Sequence, residues 1–235
     1  MLHQNFRLIN EEFNAEAAVL PEQMDSLWAM GWRHFGTHFF RYNLGIVGNE
    51  IRLVTPLRIR LSEFSFSKSQ RRVLRENADL SVRIEHLQID EAAEELFHRH
   101  KQRFDHHTPD SIYEFIPRTA ETSPCETKQI KVFQGDDPIA VSYFDIGERS
   151  CSGVYAIFEP DFSERRLGIS TMLKEIEYAI AEGKEFYYQG YAYQGESFYD
   201  YKKRFRGTEI FDWKGNWSFL NAEVAEAAEK DNENT

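Results

Sequence analysis

The sequence predicts an α+β protein in which a mixed, largely antiparallel sheet is flanked by helices and preceded by a smaller amino-terminal α/β subdomain. Three observations lead there. Runs of two-residue alternation recur, the clearest being Leu57-Arg58-Ile59-Arg60-Leu61, and such alternation builds strands with one apolar face. Between them stand stretches of helical spacing such as ERRLGISTMLKEIEYAIAEG, closed by Gly183. The 235 residues are 41% hydrophobic and 14% aromatic, enough to bury a core in one large domain or two modest ones. We expect a subdomain at 1–85, a main domain at 86–220 and an acidic, low-complexity, disordered tail at 221–235.

Residues 1–20 are weakly patterned. A helical turn in PEQMDSLWAMG ends near Gly31, and aromatic strand-like segments follow, with Gly48-Asn49 as a turn between two of them. The alternating run then places Arg58 and Arg60 opposite Leu57, Ile59 and Leu61. Ser67 opens a helix as its cap, and Gln70 stands at the capping-box spacing. Val73 and Leu74 face inward, while Arg71 and Arg75 share a face with Arg72 beside them. An alternating strand at Leu80, Val82 and Ile84 precedes the amphipathic helix IDEAAEELFHRHKQRF, whose inner residues are Ala93, Leu96, Phe97 and His100. After the loop DHHTPDS, Ser111 caps a short helix to Phe115. Two strands joined at Gly135-Asp136-Asp137-Pro138 follow, and CSGVYAIFEP is a third. The long helix, a strand in EFYYQGY, a helix in ESFYDYKKRF and a strand pair in EIFDWKGNWSFL complete the chain before the tail. From Lys128 to Leu220 this order of strands and helices resembles the GNAT acyltransferase fold.

The 39 acidic against 28 basic residues give a net charge of -11, which excludes a generally basic nucleic-acid binder and leaves room for a local patch. Such a patch exists: from residue 52 to 75 Glu63 is the only acid among Arg52, Arg58, Arg60, Lys68, Arg71, Arg72 and Arg75. Cys125 and Cys151 form no CxxC pair, so neither a disulfide framework nor a thiolate metal site is signalled and a reducing compartment is expected. The first residues lack the apolar run of a signal peptide, and no run is long enough to cross a bilayer. A cytoplasmic protein with neither membrane nor DNA as partner is the expectation.

Two stretches carry chemistry. Arg165-Arg166-Leu167-Gly168-Ile169-Ser170 lies between the third strand and the long helix, where a glycine permits close approach and the helix amino terminus offers free N–H groups to an anion. The same residues also serve simply to start a helix. Tyr187, Tyr188, Tyr191 and Tyr193 stand too close together to share one buried face, so some should line a surface or cleft. With Lys202, Lys203, Arg204 and Arg206 they suit an unpaired nucleic-acid end, or equally an aromatic core strand followed by a solvated basic helix.

PLRIRLSEFSFSKSQRRVLREN, FEPDFSERRLGISTMLKEIEYAIAEG and YYQGYAYQGESFYDYKKRFRGTEIFDWKGNW together resemble the aminoacyl-tRNA–protein transferases. MGWRHFGTHFFRY, LFHRHKQRF and IYEFI fall where that family has comparable segments, and the likeness runs in order from about Asp25 to Trp217. The arginyl branch carries a cysteine cluster near the GWRHFG-like segment, and none is present here, so the resemblance implies no metal. It implies transfer of arginine or leucine from a charged tRNA, the co-substrate, to the α-amine of proteins beginning with an acidic residue, with no cofactor. The ester is already activated, so alignment, proton removal and oxyanion stabilisation suffice.

On that reading Arg58, Arg60, Lys68, Arg71, Arg72 and Arg75 contact tRNA, and Arg165, Arg166, Gly168 and Ser170 hold the aminoacyl end. Lys202, Arg204 and His107 border the acceptor, Glu159 or Asp161 acts as general base, and Tyr191 donates to the oxyanion or the leaving oxygen. Structural alternatives stand beside these roles: a helix cap for Asp161, a core tyrosine for Tyr191, a dipole-matching cation for Lys202. Rival functions are a CoA-dependent N-acetyltransferase and a non-catalytic module binding tRNA or protein amino termini.

Overall fold

The alternating run ahead of Ser67 becomes the inner half of the longest strand, β5 (Glu50–Arg60), in a computed structural model of the chain, which describes residues 7–104, 108–120 and 123–220. β5 lies between β10 (Phe186–Tyr193) and β11 (Thr208–Phe211), antiparallel to both. The main sheet runs β12 (Trp217–Phe219), β11, β5, β10, β9 (Ser150–Phe158), β8 (Asp137–Ile146), β7 (Thr127–Gln134) and β6 (Ser81–His86). The outer half of β5 also folds back on β4 (Leu44–Val47) through the Gly48-Asn49 turn. A second sheet, in the order β1 (Asn10–Asn14), β3 (His38–Tyr42), β2 (Arg33–Phe35), comes from the amino-terminal part.

Among the described residues four α-helices cover the main sheet: α1 (Pro21–Ala29), α2 (Lys68–Glu76), α3 (Glu91–His100) and α4 (Leu167–Ala181). On one face α2 and α4 bury Val73, Leu167, Leu173 and Ile176 against Ile59, Phe144, Cys151 and Tyr187. On the other, α3 packs Leu96 and Phe97 against Val141, Tyr143 and Ile157. α1 and the small sheet extend that second layer, where Met24, Trp28 and Phe39 meet Tyr188 and Cys125. Because β8 and β10 are covered on both faces, consecutive residues such as Phe144 and Tyr143, or Tyr187 and Tyr188, are both buried.

The α+β class and the mixed, largely antiparallel sheet match the sequence expectation. The capping box of α2 forms as spaced: Ser67 Oγ accepts from the Gln70 N–H at 3.2 Å, and Gln70 Oε1 accepts from the Ser67 N–H at 2.9 Å. Val82 and Ile84 are 37% and 45% exposed because β6 is an edge strand with no helix over it. The helix expected in ESFYDYKKRF does form, as a 3-10 helix at Phe198–Arg204. β5 and β6, which precede or meet the boundary expected at residue 85, belong to the main sheet through β10 and β7. The tail at 221–235 lies outside the described residues.

Candidate active site

β9 and β10 are the one parallel pair among the described strands, bonded only where Phe186–Tyr188 meet Ser150–Ser152. Beyond that point they part, and Arg33 from β2 enters the gap, donating to Ser152 Oγ and the Gly153 carbonyl. On the β10 side the register with β5 shifts between Tyr188 and Gly190, where Gly190 has φ 89, a left-handed conformation that favours glycine. A Cβ there would lie 3.5 Å from Lys202 Nζ and 3.7 Å from Arg33 Nε. Two basic side chains thus face one bare stretch of backbone, and among the described residues Lys202 Nζ makes a long 3.4 Å contact to the Tyr191 carbonyl and lies 4.8 Å from the centre of the Tyr199 ring.

Burial and, after it, Arg33 lower the Lys202 amine to about 7. Burial also lowers the Arg33 pKa, with the Asp145 carboxylate pulling the other way. Gln189 donates to the Lys202 carbonyl at 2.9 Å, while its own carboxamide oxygen is buried with no partner among the described residues. Trp28, Trp32, Arg33, Gly190 and Tyr191 line a shallow cleft here. Deeper in the gap Glu175 of α4 accepts from the Tyr187 hydroxyl, and burial raises its pKa to about 7. Gly153 makes room for that pair: an added Cβ would lie 2.5 Å from the Tyr187 oxygen.

A second constellation joins α2 to the start of α4. Arg165 pairs with Asp79 at 2.8 and 2.9 Å, and Arg166 with Glu76 at 2.6 Å. Arg72 reaches the same Glu76 at 2.6 Å, so basic helix and donor loop are one electrostatic unit. Arg166 has φ 52 and starts α4 without a side-chain cap, leaving that helix end open.

The segment that holds the parted strands, the open helix end and Lys202 has a known counterpart. A sequence profile described as arginine-tRNA-protein transferase, C terminus, matches residues 92–212. An aspartate/glutamate leucyltransferase of Stenotrophomonas maltophilia (strain K279a) is 31% identical over 173 residues, 70% of this chain and 69% of that protein. The chain belongs to the arginine-tRNA-protein transferase family. A second relative, the aspartate/glutamate leucyltransferase of Shewanella sp. (strain MR-4), is 28% identical over 214 residues, 87% of this chain and 84% of its own length. Among solved structures, the crystal structure of FemX shares the fold at TM-score 0.53 and 11% identity, covering 94% of this chain and 74% of that one. Membership makes the chain an aminoacyltransferase.

Against this family background the sequence-derived site residues divide. Lys68, Arg71, Arg72 and Arg75 are exposed on α2, as expected of a basic surface. Arg58 is not: it is 8% exposed, pairs with Glu209 at 2.6 Å and lies between the rings of Phe186 and Trp217. Arg60 shares Glu209 at 2.7 Å and keeps part of its surface in solvent. Alternation placed the two arginines on one face correctly, but the acid that neutralises Arg58 comes from a distant strand.

Of the two carboxylates expected to be partly buried at the end of β9, Glu159 is, with its side chain 16% exposed. Glu159 accepts from Arg99 at 2.6 Å and Asp161 is exposed. Both lie at the far end of β9, roughly 20 Å along the strand from Gly153. Tyr191 borders the cleft, but its hydroxyl donates to the Gly31 carbonyl at 2.6 Å. Gly168 is close-packed rather than open, since a Cβ would lie 3.0 Å from the Phe158 ring, so a bulky substitution there would disturb the β9–α4 junction itself. Ser170 is 4% exposed in the first turn of α4. Of the acceptor residues, Lys202 lies in the cleft region, Arg204 is exposed beyond it, and His107 falls outside the described residues. Sequence reasoning missed Arg33, Gln189 and Glu175. Arg33 gives no signal of its own, but Glu175 stands four residues from Thr171 and from Ala179, both on the buried stripe of α4.

Proposed function

We propose that this enzyme transfers leucine from leucyl-tRNA to the α-amine of proteins whose first residue is aspartate or glutamate. The observation that carries the reading is the pair Arg33 and Lys202 beside the bare backbone of Gly190. Lys202 has no carboxylate partner among the described residues, and its placement supports capture of an acidic side chain from outside. The names of the relatives support leucine and an acidic first residue. The basic face of α2, coupled through Glu76 to Arg166 at the open end of α4, supports tRNA binding on the other face of the sheet.

In the reaction the free amine of the acceptor attacks the ester carbonyl. A C–N bond forms, the C–O bond to the ribose breaks, the amine loses a proton and the ribose oxygen gains one. Arg33 and Lys202 orient the acceptor carboxylate. The unpartnered oxygen of Gln189 accepts from its ammonium, and the enclosing aromatic side chains limit water around the ester.

Purified chain is incubated with a peptide beginning with Asp or Glu and with tRNA charged separately with leucine and arginine, and the peptide is weighed by mass spectrometry. Leucine addition is expected, with Lys202→Met raising the peptide KM roughly tenfold to a hundredfold, the range for losing a charged hydrogen-bond partner. Arginine addition would correct the amino acid. Gain from acetyl-CoA alone, or no gain at all, would overturn the reading.

A further inference from the structure

Immediately after Arg33 the chain places His34 in a buried cluster that the transfer chemistry does not use. His34 Nδ1 lies 2.8 Å from the Gly36 carbonyl, which can only accept, so the ring proton sits on Nδ1. His34 Nε2 lies 2.8 Å from Asp145 Oδ2 and 3.9 Å from Cys125 Sγ. Both ring nitrogens thus face acceptors, and the Nε2 contact is held either by a second ring proton, as an imidazolium–carboxylate pair, or by a metal ion in that proton's place. The ligand atoms of His34, Cys125 and Asp145 all lie within 4.8 Å of one another, and the three residues are 5%, 9% and 1% exposed. Tetrahedral zinc holds such atoms about 3.5 Å apart, so small side-chain adjustments close the site.

The surroundings are those of ligands held in place by neighbours. Gly36 fixes one side of the imidazole, and Phe39 stacks on its ring at 4.7 Å. Thr127 donates to the other oxygen of Asp145 at 2.7 Å. Met24, Trp28, Phe39 and Tyr188 form the apolar wall next to the thiol.

We propose that His34, Cys125 and Asp145 bind a zinc ion through three protein ligands, with the fourth position left to water. The imidazole, thiolate and carboxylate set suits zinc over magnesium or calcium, which favour all-oxygen sites. On loading, the Cys125 thiol loses its proton to solvent as the Zn–S bond forms. The ion ties β2, the segment before β7 and the end of β8 together at one point. That fixes the strand carrying Arg33 against the gap it fills.

The test uses the full chain and does not depend on any transfer activity. Metal content is measured after purification without chelator, and the chelated protein is then titrated with Co²⁺. About one zinc per chain and a sulfur-to-cobalt charge-transfer band are expected. The band should persist in Cys151→Ser and vanish in Cys125→Ser. Absence of both zinc and the cobalt band in the unaltered chain, or a band that survives Cys125→Ser, would overturn the proposal. Should Cys125→Ser fail to fold, the unaltered chain and Cys151→Ser still decide it.

Discussion

Glu175 shows how much a single residue's setting matters. Its carboxyl is enclosed between α4 and the parted strands, and burial holds its pKa near 7 against an ordinary 4.5, with the Tyr187 hydrogen bond acting in the opposite direction. Between those values the folded chain keeps a proton that the unfolded chain has released. The stability this contributes is complete below 4.5 and is lost as pH rises through 7. Glu175→Gln keeps an acceptor for Tyr187 and abolishes the titration. Relative to the unaltered protein, its unfolding free energy should therefore gain roughly 3 kcal/mol between pH 4.5 and 7, read from urea melts. A difference that does not change with pH would mean that Glu175 titrates normally. In sequence this glutamate looks like its neighbour Glu177, and only the rotation of α4 separates them. Lys202 stands out as a candidate in sequence because it lies in a basic run. Arg33 does not, because the residues it meets, Ser152 and Gly190, lie more than a hundred positions away and nothing local marks the gap between β9 and β10.

Elements were legible where local signals decide them. The capping box predicted the start of α2, and alternation predicted the two-faced arginines of β5. Local signals failed where neighbours decide: β6 reads as a half-buried strand yet ends as an edge, whereas the helix read after Ser197 does form, as a 3-10 helix. α2 is the element on which the proposed tRNA binding rests. Its Val73 is buried and Leu74 packs on the core, so the helix is held from below while its charges face outward. Among the described residues Lys68, Arg71 and Arg75 have no ion-pair partner, whereas Arg72 is shared with Glu76. Replacing the three unpaired cations with Gln should weaken tRNA binding and flatten the dependence of log K on log salt by roughly 0.7 to 0.9 per lost contact. Arg72→Gln alone should do less, because its charge is already partly spent. No change in affinity or salt slope from the three replacements, measured by filter binding across a salt series, would remove α2 from the interface.

At the scale of the whole molecule, the sheet is a partition between two helix-covered faces. α2 and α4 lie on one side with the basic surface, and α3 with the small amino-terminal sheet lies on the other. The fold class was readable from periodicity. The continuity of the sheet across residue 85 was not, because pairing β5 with β10 joins segments that no local pattern links. Were the excess acids behind the net charge of -11 to repel RNA that approaches the α3 face, α2 would remain the attractive side. Glu91 and Glu95 are exposed on α3 and test this directly. Their reversal to Lys leaves Glu94, which accepts from Tyr113, in place and touches none of the cleft residues. Nonspecific affinity for a mixed RNA pool should then rise severalfold at low salt and vanish as a difference once salt shortens the screening length to a few Å. Transfer from charged tRNA should slow only when competitor RNA is present, because the new sites divert the protein without altering the cleft. If competitor RNA has the same effect on both proteins, orientation comes from α2 alone and the acidic face is a bystander.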